Sequence, residues 1–184
     1  MLIIRILFFF LILTPLCGFS QKRYYTEKAH ISFFSEGVIE DISATNTKVT
    51  SILDLVSNEV AYLLNPKDFQ FEKKLMQVHF NEKYMESEKF PRSSFQGKIV
   101  GFNISSTEVQ HVKAIGRLTI HGVTRDVDLP GTLHIQGKTI ALKSKFLVKL
   151  VDYNIKVPQI VWQNIAQEVE VTVNFLYNTT PVIN

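Results

Sequence analysis

Cysteine is almost absent from this chain, which carries Cys17 alone among its 184 residues. A single cysteine cannot form an intrachain disulfide, and it cannot supply a zinc site built from several thiolates. Because Cys17 lies inside an apolar stretch at the N-terminus, removal of that stretch would leave no thiol at all. The stability of such a mature chain would have to come from packing.

Catalytic and metal-binding motifs are also missing. The sequence contains no G-x-S-x-G, no P-loop and no G-x-G-x-x-G. None of the five histidines has a spacing typical of metal ligands; they are His30, His79, His111, His121 and His134. We therefore predict no catalytic residue, no metal site and a binding protein instead of an enzyme.

Three polar features have a plain surface interpretation. His121 lies in a hairpin and His134 on a polar strand face, so both are expected to be exposed. Asp126 and Asp128 share a strand face like paired carboxylates, but they lie beside Arg125 and fit surface charge better.

A strong excess of one charge sign is lacking as well. The formal net charge is +3, and no basic cluster with interleaved aromatic residues occurs. Lys143, Lys145 and Lys149 alternate along one strand, which is typical of a solvated face. Nucleic acid is therefore not an expected partner.

Long apolar runs are confined to the N-terminus. Arg5 precedes an apolar run at residues 6–13, which is short for a membrane span and typical of a secretory signal. We predict a signal peptide over residues 1–20, cleavage after Ser20, and a mature domain over residues 21–184 without a membrane span. The mature protein would be periplasmic or secreted.

Cys17 leaves an alternative route to the envelope. Lipid anchoring at this cysteine would keep the protein attached to a membrane, but the residue before it, Leu16, is bulky where processing favours a small side chain. Cleavage after Ser20 is therefore the favoured prediction.

What the chain does contain is alternation of apolar and polar side chains. Residues 115–150 predict three antiparallel strands with one buried face, and residues 169–177 predict a very regular last strand. Pairing of the last strand with an early one would remove the exposed edges. We predict a mainly β fold, an antiparallel barrel of about eight strands with one or two short helices.

One segment has helical instead of strand periodicity. Pro66 is predicted to open a helix, and residues 81–91 to form a surface loop after it. The predicted apolar face of the helix consists of Phe71, Leu75 and Val78, with Met76 and Phe80 beside it. Such a face either plugs the barrel or forms a lid that contacts a ligand.

Three separated segments carry a family resemblance. FNEKYMESEKFPRSSFQGKI, GRLTIHGVTRDVDLPGTL and SKFLVKLVDYNIKVP resemble, in this order, segments of the YceI-like family, and the likeness extends from Ala29 to Tyr177. The resemblance implies an extended lipocalin-like barrel in a secreted or periplasmic protein. It also implies a long isoprenoid chain held in an internal tunnel, although other members are linked to stress or acid responses.

The expected ligand is an apolar isoprenoid-type lipid, either a polyprenyl chain or a quinone. Its site needs hydrocarbon walls, and a chain with 14 phenylalanines can supply them. The candidate wall residues are Phe33, Phe71, Met76, Phe80, Phe95, Leu118, Leu133, Phe146 and Phe175. Whether they line a tunnel or fill a core stays open, and so does the oligomeric state, a homodimer included. The alternative function is a ligand-free stress-response or protein-interaction module with a solidly packed barrel. No cofactor is expected besides a bound lipid or quinone.

Overall fold

A computed structural model describes residues 23–37, 40–156 and 167–178. The predicted signal peptide, Cys17 and the irregular piece around Trp162 lie outside the described residues.

The described residues are mostly strand. The ten strands are β1 (Arg23–Ser35), β2 (Ile42–Asn46), β3 (Thr50–Asp54), β4 (Glu59–Leu64), β5 (Gln70–Phe71), β6 (Ser93–Val100), β7 (Gln110–Ile120), β8 (Val123–Gln136), β9 (Thr139–Lys149) and β10 (Glu168–Asn178). One α-helix, α1 (Lys74–His79), continues into a π-helical turn at Phe80–Tyr84. Short 3-10 turns lie at Pro66–Asp68 and Leu150–Tyr153.

Eight of these strands close into an antiparallel barrel. The hydrogen-bonded order is β1, β10, β9, β8, β7, β6, β4 and β3, and β3 pairs with β1 again. The last strand closes the ring as the sequence predicted, because β10 pairs with β1 in a long ladder that sets Ile31 opposite Val173. Closure removes the free edges that an open sheet would present. The predicted lipocalin-like barrel is therefore confirmed.

The first strand changes partner along its length. Residues 23–25 of β1 pair with β3, whereas residues 31–35 pair with β2, and β5 adds to the outer side of β2. The barrel wall is therefore not continuous from β1 to β3 beyond Tyr25. At this end of the barrel the inward side chains of β1 meet α1 and its following turn, since the ring of Phe33 stacks on that of Phe80.

Alternation fixes which side chains enter the barrel. In β9 the lysines at 143, 145 and 149 are exposed, and Leu147 is exposed with them. The inward side chains of this strand are buried: Ile140, Leu142, Phe146 and Val148. The predicted faces of β9 are confirmed, including the exceptional outward leucine.

Two glycines let neighbouring strands approach closely. Gly97 on β6 lies opposite Gly116 on β7. A Cβ atom added at either position would lie 2.3 Å from a backbone oxygen of the other strand. No side chain fits there, so this close approach of β6 and β7 requires glycine at both positions.

The predicted helix is wrong in its start and in its face. Pro66 opens only a 3-10 turn, in which the Asn65 side chain accepts a hydrogen bond from the Lys67 backbone N–H at 3.0 Å. Phe71 then pairs with β2 as part of β5, so the helix begins at Lys74. The residues that face the interior therefore differ from the predicted ones. Leu75 is 64% exposed and Val78 is also exposed, while Met76 and Phe80 point to the interior.

Two surface predictions are also wrong. His121 is only 7% exposed, because its ring is covered by Phe90 and by the backbone of Tyr153. The segment over residues 81–91 is a surface loop only in part, since Met85 and Ser87 are buried. The interpretation of Asp126 and Asp128 as surface charge agrees with the structure, where both are exposed and Asp128 pairs with Lys113 at 2.8 Å.

Candidate ligand cavity

A cavity of about 310 Å³ lies at the end of the barrel where β1 changes partner. This volume is at the lower end of the range for small-molecule sites. Its walls come from inward positions of the barrel strands, from α1 and its following turn, and from the residues after β9. Its lining includes Ile31, Phe33, Ser35, Ile42, Tyr62, Leu64, Phe69, Phe71, Met76, His79, Phe80, Tyr84, Met85, Ser93, Leu118, Ile120, Phe146, Val148, Leu150, Ile155, Val169 and Val171.

Four phenylalanine rings form a contiguous cluster on one wall; they are Phe33, Phe69, Phe71 and Phe80. Phe33 lies at the centre, with ring centroids 5.3 to 5.8 Å from the other three. Phe80 also contacts Phe71 at 5.0 Å and Phe69 at 5.6 Å. Edge-to-face and stacked contacts of this kind add to the free energy gained by burying the rings. The cluster therefore joins β1, β5 and the turn after α1 into one apolar wall.

The cavity contains no charged Lys, Arg, Asp or Glu side chain among its described lining residues. Its polar groups are hydroxyls and one imidazole, contributed by Ser35, Ser93, Tyr62, Tyr84 and His79. Burial raises the pKa of the Tyr84 hydroxyl, and it raises that of Tyr62 much further, with the nearby Tyr153 adding to the effect on Tyr62. Both phenols are therefore neutral at physiological pH.

Ser35 has an unusual environment within this lining. Its side chain is 3% exposed, and its Oγ has no hydrogen-bond partner in the described part of the protein. A buried hydroxyl without a partner costs free energy, because it has lost its bonds to water. Ser35 lines the cavity on the same inward face of β1 as Phe33, which makes its hydroxyl a candidate partner for a polar atom of a ligand.

Residues 74–90, here called the cover segment, supply five of the lining side chains: Met76, His79, Phe80, Tyr84 and Met85. The segment is tied to the β7–β8 hairpin through Glu86, whose carboxylate lies 2.9 Å from Nε2 of His121. The other ring nitrogen of His121 lies 3.0 Å from the Tyr153 carbonyl oxygen. Both partners offer acceptor oxygens to the two ring nitrogens.

Packing reinforces this link. The Phe90 ring meets the His121 ring edge-on at 4.4 Å. Gly122 has a φ of +73°, and a Cβ atom added there would lie 2.6 Å from the Phe90 ring. We call the group of Glu86, Phe90, His121 and Tyr153 the clasp. It fixes the C-terminal end of the cover segment to the barrel.

Six of the nine predicted wall residues line the cavity: Phe33, Phe71, Met76, Phe80, Leu118 and Phe146. The other three do not. Phe95 faces a separate void of about 30 Å³, and Leu133 and Phe175 are buried in the barrel core away from both spaces. Contact of any of these residues with a ligand stays a prediction.

Sequence reasoning missed other lining residues, above all Tyr62 and Phe69. Tyr62 follows the alternation of β4, where Val60 and Leu64 are buried on the same side, so period-two spacing could have identified it. Phe69 comes directly after the 3-10 turn. Its inward position was not predicted, because the segment was assigned to a helix and a 3-10 turn has no apolar periodicity that would indicate which side chain is buried.

The described residues contain no group of three or more His, Cys, Asp or Glu side chains that could hold a metal ion. Within the same ranges, the helices lack the length and apolar character needed to cross a membrane.

Solved structures from three bacteria share this architecture. BcnA from Burkholderia cenocepacia has a TM-score of 0.69 at 15% identity, covering 80% of this chain and 95% of that one. A polyisoprenoid binding domain from Saccharophagus degradans, implicated in plant cell wall breakdown, has a TM-score of 0.70 at 11% identity, covering 86% and 98%. The YCEI protein of Campylobacter jejuni has a TM-score of 0.57 at 16% identity, covering 71% and 81%. These identities are low, so the likeness shows the fold alone.

Sequence comparison gives the family. No curated protein matches the chain. The family defined by the YceI-like domain matches residues 24–177, from the start of β1 nearly to the end of β10. The match spans the whole closed barrel together with the cover segment. The chain belongs to the YceI-like family.

Proposed function

We propose that this protein binds a single apolar isoprenoid-type lipid, with the hydrocarbon tail in the barrel cavity. The observation that carries the proposal is a cavity of about 310 Å³ with a largely hydrocarbon lining. A barrel that served only as a solid interaction module would be expected to fill this space with its own side chains, because protein interiors pack densely. The ligand-free alternative is therefore less favoured.

Burial of hydrocarbon would drive binding. Each Å² of apolar ligand surface removed from water contributes about 25 cal/mol, and a flexible repetitive tail needs volume more than exact polar partners. The phenylalanine cluster offers a preformed wall to such a tail. The similar structure from Saccharophagus degradans is named a polyisoprenoid binding domain, which supports the same class of ligand here.

The polar end of the ligand should carry no charge if it enters the cavity. The described lining has no cation to neutralise a phosphate, and burying an unpaired charge is very costly. A quinone carbonyl or an alcohol can instead bond to the Ser35 hydroxyl, which has no partner. We therefore favour a neutral isoprenoid quinone or alcohol over a polyprenyl phosphate.

The N-terminal sequence supports a place of action outside the cytoplasm. The apolar run after Arg5 and the predicted cleavage after Ser20 would deliver the chain across a membrane. We place the mature protein in the periplasm or outside the cell, where a carrier could shield an apolar tail from water. Lipid anchoring at Cys17 is the alternative.

The test begins with the mature protein purified without strong detergent. Native mass spectrometry and solvent extraction should reveal a bound neutral isoprenoid lipid. After delipidation, binding of a short-chain isoprenoid quinone should be recovered in titrations. Absence of any bound lipid together with no quinone or polyprenyl binding would contradict the proposal.

A matched pair of variants locates the site. Val171→Trp places a large ring in the cavity, where Val171 lies opposite Phe33 and Phe146, and should weaken quinone binding at least about tenfold by occupying the volume. Leu147→Trp adds the same ring to an exposed position on β9 and should leave binding unchanged. Equal effects of the two substitutions would place the ligand elsewhere. Circular dichroism checks that both variants fold.

A further inference from the structure

Two side chains separate the cavity from a second, smaller void. The second void has a volume of about 30 Å³, about the space of one water molecule, and lies between β4, β6, β7, β8 and β9. Tyr62 and Phe146 line both spaces, and no other described residue does so. These two rings therefore form the partition at which the large cavity ends inside the barrel.

Neighbouring rings hold the partition in place. The Tyr62 ring stacks on Phe95 with centroids 5.7 Å apart and an interplanar angle of 21°. On another side it meets the edge of Phe175 at 5.6 Å. Phe146 is buried on β9, next to Val171 of β10 in the ladder. Packed aromatic rings of this kind resist displacement, so a flexible tail would not push through them without cost.

The far side of the partition could hold more hydrocarbon if it were opened. The second void is lined by small or aliphatic side chains that include Val60, Val112, Ala114 and Leu129. Lys143 and Ser144 also border this void, but the surface that faces it is apolar. What limits the depth of the site is therefore the presence of two rings, and not the chemistry of the space behind them.

We propose that Tyr62 and Phe146 set the length of isoprenoid tail that this protein accommodates. This inference rests on the proposed lipid-binding function and adds its chain-length specificity. A tail that enters from the cover-segment end gains affinity with every unit buried, until its tip reaches the two rings. Beyond that length, further isoprene units and the polar end stay outside the cavity, so affinity stops rising.

The length dependence of affinity measures this effect. Each methylene taken out of water raises affinity roughly fourfold, so one isoprene unit within the cavity is expected to contribute at least about tenfold after ordering costs. The probes are all-trans isoprenoid alcohols that differ by single isoprene units, measured by competition against a fluorescent lipid. For the unmodified protein we expect affinity to rise with length and then reach a plateau.

Opening the partition should move the plateau. Tyr62→Leu and, separately, Phe146→Leu join the two spaces, and each should let part of one further isoprene unit enter, with a gain of at least about fourfold, the equivalent of one buried methylene, for the first alcohol beyond the original plateau. Ala114→Leu added to Tyr62→Leu refills the second void and should restore the original plateau. Thermal unfolding identifies any variant that does not fold. Because the partition is opened by two separate substitutions, the test can still be made if one of the two variants does not fold.

A control separates opening of the partition from general loosening. Tyr24→Leu makes the same chemical change at a tyrosine that packs against the core but lines neither space, so the plateau should stay in place. A plateau that is unmoved in both folded opening variants, or moved equally by Tyr24→Leu, would overturn the length-setting role while leaving lipid binding intact. Failure of every isoprenoid alcohol and quinone to bind the unmodified protein would overturn both proposals.

Discussion

Ser35 shows how a single residue can combine a structural cost with a binding role. Its hydroxyl is buried at the cavity wall without a partner, although the neighbouring inward positions of β1 are apolar. A buried hydroxyl without a partner often has a functional role, because no hydrogen bond within the folded protein offsets the free energy of its desolvation. A hydrogen bond to the polar end of the ligand would offset this free energy.

Replacing this hydroxyl should therefore affect ligands selectively. In Ser35→Ala we expect affinity for an isoprenoid quinone or alcohol to fall about two- to tenfold, the equivalent of one neutral hydrogen bond, while affinity for an isoprenoid hydrocarbon is unchanged. The empty protein should be as stable as before or slightly more stable. Calorimetric titration of both ligand types provides the measurement.

A second serine offers the matched control. Ser57 also has a buried Oγ without a partner in the described structure, but it does not line the cavity. Ser57→Ala should leave both affinities unchanged. If Ser35→Ala lowered hydrocarbon affinity as much as quinone affinity, the hydroxyl would be acting through the shape of the wall and the hydrogen-bonding role would be wrong.

The residues of the cavity were only partly predictable from sequence. Alternation in β1, β7 and β9 was enough to place Phe33, Leu118 and Phe146 inside, and all three line the cavity. Alternation cannot tell at which height along the barrel an inward side chain lies. Leu133 is as inward as Leu118, yet it packs in the filled part of the barrel.

At the level of elements, the cover segment depends on contacts that are distant in sequence. α1 has only six residues and no side-chain cap at its N-terminus, so it would be unstable in isolation. Its position comes from the phenylalanine cluster at one end and from the clasp at the other. This dependence explains why local periodicity predicted the wrong start and the wrong face for the helix.

The clasp should control how firmly the cover segment is held. His121→Phe keeps an aromatic ring beside Phe90 but removes the bonds to the Tyr153 carbonyl and to the Glu86 carboxylate. Because a buried carbonyl then loses its partner, we expect a loss of about 1–3 kcal/mol in the free energy of unfolding. Hydrogen exchange should accelerate most in residues 80–90, where the segment meets the clasp.

An exposed carboxylate in the same segment serves for comparison. Glu88 is largely exposed and pairs with Lys67, and surface ion pairs contribute little, so Glu88→Gln should change stability by less than about 1 kcal/mol. Uniform acceleration of exchange over the whole barrel in His121→Phe, without a maximum in residues 80–90, would show that the clasp supports the fold as a whole and not the cover segment.

On the scale of the whole molecule, barrel closure was predictable because it follows from a pattern that every strand repeats. The regular alternation of β10 predicted a strand that pairs on both sides, and it pairs with β9 and with β1. The change of partner along β1, which creates the cavity end, left no such trace. It depends on where β2, β3 and β5 find space, and this is decided by packing between distant segments.

Closure also buries Tyr177, which joins three strands of the ring. Its hydroxyl lies 2.7 Å from Oγ of Ser51 on β3, and that serine donates to the Ala61 carbonyl on β4 at 2.8 Å. Burial raises the pKa of Tyr177 well above its ordinary value of 10.0, and the bond to Ser51 opposes the rise only in part. The folded barrel therefore holds the phenolic proton more tightly than the unfolded chain does.

Alkaline unfolding should report this difference. A raised pKa in the folded state gives stability that is fully present below pH 10 and lost as the pH rises above it, with a slope of about 1.4 kcal/mol per pH unit for each such tyrosine. Tyr177→Phe should cost about 1 kcal/mol near neutral pH and make the decline above pH 10 shallower by one tyrosine's share. Tyr62, Tyr84 and Tyr153 also have raised pKa values, so some decline should remain. Urea unfolding between pH 7 and pH 11 measures both effects, and an identical decline in the variant and the unmodified protein would show that Tyr177 does not couple barrel closure to pH.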